Sequence, residues 1–298
     1  MTGHSTCVIF LVQSEERNIF DQRHLEYALQ RLSPNTPVFR ILFSEILNLT
    51  SIPAGVSSRP LLYHPPHHPL RTFEVAVTYF RAGYGPADYP SPSAWEARYH
   101  IARSRTIACP TVLTQLAGMK KVQQVLATPV SPGTPSPLER FVTSLETRAA
   151  ILRTFTNIFP LDSTPAGLEA RHLATDAEAC QRYVMKPQRE GGGNNFYRGA
   201  IPKQLAKMPE AHWGSHILME LITPPPVANL ILRNGKVEQG GVICELGVYG
   251  TCLWEHSDKM AAPLHNEESG YLLRTKGDQS EEGGVAAGYG CMDSVALV

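Results

Sequence analysis

Several things are scarce in this chain of 298 residues, and each scarcity removes a class of function. Membrane-length apolar runs are missing: the run CVIFLV, Cys7 to Val12, has six residues, where a spanning helix needs roughly 20. It reads as a core strand. A charge imbalance is missing too, with 27 basic residues against 27 acidic ones. No global field draws in nucleic acid or anionic lipid, so a charged ligand must be captured by a local cluster, and small-molecule partners are expected rather than nucleic acid or membrane. The six cysteines, at 7, 109, 180, 244, 252 and 291, never fall into a CxxC or a Cys/His ligand spacing. With no signal peptide ahead of them, they fit a reduced, cytoplasmic protein. Neither the GxxxxGK[ST] phosphate loop nor the GxGxxG dinucleotide fingerprint occurs, and no internal repeat is visible.

The length suits two domains of ordinary size. CVIFLV is followed by FDQRHLEYALQRL, where Phe20, Leu25, Ala28, Leu29 and Leu32 recur near helical spacing. After a Pro- and His-rich insertion, EVAVTYF (Glu74 to Phe80) repeats the buried-strand signature, and WEARYHIARS and PTVLTQLAG follow as helical and closing segments. Apolar strands alternating with helices predict a parallel sheet covered on both faces, so residues 1–117 read as a small α/β domain. Ligands should then sit at strand C-termini, where SEERNIFDQ and FRAGYGP carry charge and amides as the apolar runs stop.

From residue 118 the pattern changes. TPVSPGTPSP, Thr128 to Pro137, holds four prolines and reads as a surface loop or hinge. LERFVTSLETRAAILRTF has helical spacing, and RYVMK, HILMELI, NLILR and VICELGVYG are strand-like. Asn234-Gly235 between two of these runs is a strong hairpin signal, so the C-terminal part is expected to be α+β with antiparallel pairing.

Chemistry concentrates in RYVMKPQREGGGNNFY, Arg182 to Tyr197. A strand there aims Lys186 as a point charge, and Pro187 fixes the exit of the chain. Three glycines in a row cost on the order of 3 kcal/mol in any ordered conformation, at about 1 kcal/mol each. A loop whose bare N–H groups close on phosphate would use them, and Glu190 beside an asparagine offers the hard oxygens that Mg²⁺ takes. The bland alternative is a flexible surface loop. YLLRTKGDQSEEGGVAAG, Tyr271 to Gly288, repeats the order of strand, Arg-x-Lys, acidic residues and small-residue loop, which suggests a second lid. Glu220 and Glu245 sit inside apolar runs and need partners, either a ligand's ribose, amine or metal, or an internal salt bridge. HPPHHP, His64 to Pro69, lacks accompanying Cys or Asp and reads as loop. Trp95, Trp213 and Trp254 read as packing residues.

Taken in order, ERNIFDQR, YFRAGY, WEARYHIARS, TQLAGMKKVQQVL, VMKPQREGGGNNFY, ILMELI, ELGVYG, YLLRTK and GGVAAG resemble eukaryotic glutathione synthetase, an ATP-grasp ligase family. The resemblance covers essentially the whole chain, while the family carries a further N-terminal portion. It implies an α/β substrate-binding domain with a parallel sheet at residues 1–117 and an α+β ATP-grasp nucleotide-binding domain with antiparallel strands at 118–298. The implied reaction is ATP-dependent ligation of γ-glutamylcysteine with glycine through an acyl phosphate, with Mg²⁺.

By the same resemblance, Lys120 and Lys186 are phosphate ligands, with Gln188, Arg189, Glu190, Gly191, Gly192, Gly193, Asn194 and Asn195 forming the first lid and Glu190 holding Mg²⁺. Tyr197, Met219, Glu220, Leu221, Ile222, Glu245 and Lys276 surround adenine and ribose, with Glu282 in the second lid. Glu16, Arg17, Asn18, Gln22 and the run Arg81, Ala82, Gly83 and Tyr84 grip the dipeptide, and Arg274, Val285 and Ala286 close over glycine. Lys186 and Arg274 are the implied catalytic cations. Where the family continues with acidic residues after Tyr197 this chain has Arg198-Gly199, and Leu221 stands where a basic residue is common. The family's N-terminal portion supplies two more Mg²⁺ ligands, an arginine, a serine loop and much of a homodimer contact. Without those, the alternative is a non-catalytic ATP- or glutathione-binding module, and a third reading is a ligase of changed acceptor specificity.

Overall fold

A strand covered on both faces can show no polar side, and β1 (Ser5–Val12) shows none from Cys7 onward. In this computed structural model Cys7, Ile9 and Leu11 pack with Ile41, Phe73 and Ile101, while Val8, Phe10 and Val12 pack with Leu29, Val38 and Tyr79 on the opposite face. Burial pushes the Cys7 thiol up to about 12, which makes it an inert core side chain. The structure describes all residues except 1, 17, 129–133, 189–193, 226, 234, 256–262, 282–284, 286–287, 289 and 296–298. The chain forms two compact units, Met1–Arg148 with Gln188–Glu190, and Ala149–Pro187 with Gly191–Val298.

In the first unit, α1 (Ile19–Leu32) leads to β2 (Val38–Leu42), α2 (Ile46–Leu49), β3 (Thr50–Ser51), β4 (Leu62–Tyr63) and β5 (Phe73–Phe80). α3 (Pro92–Ala102), β6 (Ile107–Cys109), α4 (Val112–Ala117) and α5 (Lys120–Ala127) follow. β1 pairs in parallel with β2 and β5, and β5 in parallel with β6, which is the expected parallel core. The short strand β4 pairs antiparallel with the start of β5, and β3 antiparallel with β4, so the Pro/His-rich insertion is partly sheet. In that insertion His64 is hydrogen-bonded to Ser51 at 2.8 Å, and no cluster able to hold a metal occurs among the described residues.

The helix expected after β1 is present, but the face it buries is not the one its apolar residues suggest. Phe20 and Leu32 are 78% and 85% exposed, whereas Gln22 and Glu26 are buried. Arg40 on β2 explains the inversion: its guanidinium donates to Glu26 Oε1 at 2.7 Å and to Gln22 Oε1, so the inward carboxylate and the Gln22 oxygen are paired. Ala28 and Leu29 alone of the periodic set turn inward.

The run LERFVTSLETRAAILRTF is not one helix. A 3₁₀ turn at Pro137–Arg140 stops, and α6 (Leu145–Leu152) begins after Ser144, whose hydroxyl accepts from the Thr147 N–H at 3.2 Å. An N-terminal cap inside the apolar period breaks it. Residues 118–148, assigned on sequence grounds to the nucleotide-binding part, pack within the first unit; which ligand they serve is a separate matter from what they pack on.

The second unit contains β7 (Ile158–Pro160), α7 (Pro165–Thr175), β8 (Tyr183–Pro187), β9 (Phe196–Tyr197), α8 (Ala200–Leu205) and β10 (His216–Glu220). One antiparallel sheet has the order β7-β10-β8-β9, and its core joins Met185, Tyr183 and Leu218 to Ala170 of α7 and Ile201 of α8. A second antiparallel sheet comprises β11 (Val227–Arg233), β12 (Lys236–Leu253), β13 (His265–Gly277) and β14 (Cys291–Asp293). β11 and β12 pair from Arg233 with Lys236, the hairpin that Asn-Gly predicts; Gly235 has φ +75°, open to glycine, and Asn234 lies outside the described residues. The antiparallel C-terminal part is thus as expected. No helix among the described residues is long and apolar enough to cross a membrane.

Candidate functional site

A cavity of the first unit, about 860 Å³, opens where β1 and β5 end. It is walled by Gln13–Glu16 and Asn18 after β1, by Arg81, Ala82 and Tyr84 after β5, and by the start of α3. Parallel strands bring their C-terminal loops together, which is why segments some 65 residues apart in sequence, about the span from Glu16 to Arg81, meet here. Five residues singled out from sequence, Glu16, Asn18, Arg81, Ala82 and Tyr84, line it together. Glu16 Oε1 accepts from the Asn18 N–H at 2.8 Å, while its Oε2 is buried and finds no partner among the described residues. Arg81 Nε is buried in the same condition. Burial works against the charge of Arg81, but Tyr84, Tyr79 and Glu16 outweigh it and hold its pKa above the usual value. A carboxylate and a guanidinium with spare bonding capacity, facing one cavity, suit a ligand bearing both charges.

Gln22 does not line this cavity. It is buried against Arg40, with Nε2 lacking a partner among the described residues. Gly83 is buried at φ +78°, and a Cβ there would lie 3.0 Å from the Tyr89 hydroxyl. Arg17 lies outside the described residues.

A second cavity of the same unit, about 440 Å³, lies across the 84–87 loop and brings Lys120 and Gln188 together. Gln188 Oε1 accepts from the Lys121 N–H at 2.8 Å, and Gln188 Nε2 is buried without a partner among the described residues. Lys120 opens α5, where the chain turns after Gly118-Met119. Trp95 stacks on Tyr89 at 4.1 Å at the edge of this cavity. Trp213 packs beside the core of the second unit and Trp254 is half exposed.

In the second unit Lys186 sits on β8 opposite Ile217 of β10. Met219 and Glu220 end β10, and Leu221 and Ile222 follow it. The Leu221 N–H donates to Arg182 O at 2.8 Å, and Glu220 Oε2 accepts from Asn157 Nδ2 at 2.8 Å. Glu245 is not in a buried run: from Ile243 to Val248 of β12 half-buried and exposed positions alternate. Its partners are internal cations, Arg274 at 3.1 Å and Lys276 at 3.8 Å, so two of the proposed ligand-binding cations meet a proposed ligand-binding carboxylate on one face of β12 and β13. Lys276 Nζ and the Tyr197 hydroxyl each donate to the Glu281 carbonyl at 3.2 Å, which links β13 to β9. Asn195 Nδ2 reaches the Tyr197 hydroxyl at 3.4 Å. Asn194 and Val285 are half buried, and Arg198 pairs with Glu281.

Arg189, Glu190, Gly191, Gly192, Gly193, Glu282 and Ala286 lie outside the described residues, and with them most of both lids. Sequence reasoning passed over Asp88, which accepts from the N–H groups of Tyr84 and Gly85 at 2.7 and 3.2 Å, and over Gln115 and Arg98 behind the same loop. Asp88 four residues past Tyr84 was the one available signal. Gln115 and Arg98 lie on helices, where a polar residue ordinarily marks the solvent side.

The fold that positions these groups is of the glutathione synthetase-like class. The solved apo structure of a glutathione synthetase-like effector from Globodera pallida superposes with TM-score 0.68 at 18% identity, covering 99% of this chain and 57% of that one. The family model for the eukaryotic glutathione synthase ATP-binding domain matches residues 14–297, and the chain belongs to that family. It is 41% identical over 292 residues to the glutathione synthetase large chain of Schizosaccharomyces pombe, covering 97% of this chain and 55% of that protein. To the human glutathione synthetase it is 38% identical over 296 residues, covering 96% of this chain and 56% of that protein. The chain thus spans about half the length of these relatives.

Proposed function

We propose that this chain carries out ATP-dependent ligation of γ-glutamylcysteine with glycine, as an ATP-grasp ligase working through an acyl phosphate. The observation that carries the reading is the 860 Å³ cavity at the ends of β1 and β5, where Glu16, Asn18, Arg81 and Tyr84 converge. A γ-glutamyl dipeptide is a zwitterion with two carboxylates, and a cavity offering one guanidinium, one carboxylate and amide groups complements it. Identity to glutathione synthetases along nearly the whole chain supports the same substrate class.

In this reading Arg81 holds a dipeptide carboxylate, Glu16 and Asn18 the amino end, and Tyr84 closes the cavity, while Gln22 and Gly83 act from behind its lining. Lys120, Lys186 and Gln188 contact phosphates, and Met219, Glu220, Leu221, Ile222, Tyr197 and Glu245 hold the nucleoside with Lys276. Arg274, Val285 and Ala286 close over glycine. Phosphoryl transfer depends on positioned cations more than on covalent help, and the acyl phosphate needs lids that keep water out. Mg²⁺ would shield the nucleotide phosphates when bound. Its proposed ligand Glu190 lies outside the described residues, and no group of three His, Cys, Asp or Glu able to hold a metal occurs among the described ones, so no step is assigned to it. Six free cysteines support a reducing compartment, and we place the protein in the cytoplasm.

The test is calorimetric titration of γ-glutamylcysteine into the purified chain, followed by an ADP-release assay with ATP, dipeptide and glycine. Saturable binding of the dipeptide, and ADP release requiring both acceptors, are expected. Absence of dipeptide binding would sink the assignment of the cavity; binding without ADP release would leave a binding module.

A further inference from the structure

The loop Arg81–Gly85 leaves β5 with more than half of its backbone polar groups tied to something. Arg81 N–H donates to Leu11 O at 2.7 Å, and the N–H groups of Tyr84 and Gly85 share the Asp88 carboxylate. The carbonyls are held from behind: Gln115 Nε2 donates to Gly83 O at 3.0 Å and to Tyr84 O at 3.2 Å, and the Tyr89 hydroxyl donates to Gly83 O at 3.1 Å. Gln115 is itself oriented, because Arg98 Nη2 donates to its Oε1 at 2.8 Å. Arg98 is 8% exposed, and its guanidinium lies 3.9 Å from the centre of the Phe80 ring, on the last residue of β5.

This arrangement is unusual in its order. A buried guanidinium on α3 fixes which end of an amide on α4 is oxygen, and that choice leaves the NH₂ facing two carbonyls of the loop. Turned the other way, the amide would set its NH₂ against Arg98 and its oxygen against both carbonyls. The loop so held carries Arg81 and Tyr84 into the 860 Å³ cavity, while Gln115 and Arg98 stand on its far side and do not line that cavity. They touch the loop without touching the space the dipeptide would fill, and line the second cavity, with Lys120 and Gln188, instead.

We propose that Gln115, oriented by Arg98, is a positioning residue that holds the Arg81–Gly85 loop in its binding geometry before substrate arrives. The inference rests on reading the cavity as the dipeptide site. A ligand meeting a preset loop does not have to order it, so the network acts on dipeptide affinity rather than on the chemical step.

Gln115→Glu is the discriminating variant. It keeps length and the oxygen facing Arg98, now as an ion pair, but puts an oxygen where two carbonyls need a donor. Gln115→Leu removes both contacts. The first readout needs no ligand: amide hydrogen exchange of the segment 81–88 is expected to quicken in both variants, while Gln115→Glu melts near the wild type. The second is the Kd for γ-glutamylcysteine, expected to rise about tenfold in Gln115→Glu, the loss of roughly one hydrogen bond's worth of binding. In turnover the KM for the dipeptide should rise by the same factor with kcat nearly unchanged. Unchanged exchange would overturn the network, and faster exchange with unchanged dipeptide affinity would overturn its positioning role. If the wild type bound no dipeptide at all, the functional reading of the cavity would fall and this inference with it.

Discussion

The two units handle a β-strand in opposite ways. β1 is sealed on both faces, with Ile9 and Leu11 fully buried, and delivers function only at its end, where the chain leaves the sheet. β12 is longer, 18 residues, and much of it is open: Leu246 and Val248 are 58% and 66% exposed on one face, while Glu245 meets Arg274 and Lys276 on the other. A covered parallel sheet can place ligands only at its rim, because its faces are filled. An antiparallel sheet can use a whole face, and β12 and β13 bring Glu245, Arg274 and Lys276 together on one.

The sharpest way to break this contrast is to remove core atoms. Ile9→Ala should destabilise the first unit by about 2–5 kcal/mol, the usual cost of truncating a fully buried aliphatic side chain. Val248→Ala should shift stability by no more than about 0.5 kcal/mol, as exposed substitutions do. Urea unfolding followed by circular dichroism compares them, and similar losses would show that the open face of β12 is covered in solution.

Next come the ligand-facing cations. Lys186→Ala should weaken nucleotide binding by about 1.5–3 kcal/mol, the range for a charged hydrogen bond, and leave dipeptide binding unchanged. Arg81→Lys should do the reverse by about 1–2 kcal/mol, since an ammonium cannot grip a carboxylate through two parallel bonds. Parallel titrations with ATP and γ-glutamylcysteine would expose any crossover, which would mean that the two sites had been assigned to the wrong strands.

Arg274→Ala tests the opposite face of the same sheet. Because Arg274 and Glu245 are both more than a third exposed, solvent screens the pair and its loss should cost under about 1 kcal/mol of stability, measurable as a small drop in urea midpoint. A larger loss would mean that the pair is structural rather than poised for a ligand.

The smallest effect is one of pH, and each unit has a residue for it. Burial lowers the pKa of His100 in the first unit, helped by Arg103 and opposed by Glu96, and burial likewise lowers that of His216 in the second. His100 Nε2 lies 3.1 Å from the Thr50 hydroxyl, which already donates to Ile46 O, so the neutral ring is the donor to Thr50. The unfolded chain takes up a proton near the ordinary imidazole value of 6.5, and the folded chain only at lower pH. Stability from both residues is therefore complete above that value and falls as pH drops through the window below it. His100→Gln keeps a donor without the proton uptake and should flatten the loss between neutral and acid pH in a melting series. An unchanged slope would place the acid sensitivity elsewhere.

Much of this was legible in the sequence. β1, β5, β8 and the β11–β12 hairpin follow from apolar runs and from Asn-Gly, and the cavity-lining Glu16, Asn18 and Arg81 stand just past strand ends, where a covered sheet must put its ligands. β3, β4, β6 and β14 were not legible, since two or three residues carry no period. The break at Ser144 was hidden because its capping hydroxyl sits within an unbroken helical spacing. Gln115 and Arg98 were hidden for a deeper reason: pattern reading assigns polar helical residues to water, and here a buried guanidinium orients a half-buried amide. The Glu220 and Glu245 partners, left open between ligand and internal pairing, turn out to include Asn157, Arg274 and Lys276 from the chain itself.

The inverted helix α1 has a consequence for how this chain would bear random change. Along most amphipathic helices the apolar positions are the intolerant ones. Here a library of variants would be read inside out: Phe20 and Leu32 should accept nearly any residue, while Gln22 and Glu26 should accept almost none. Arg40, a single residue on the neighbouring strand, would be the common veto, because its loss strands the Gln22 oxygen away from water and leaves Glu26 to its pairing with Arg23.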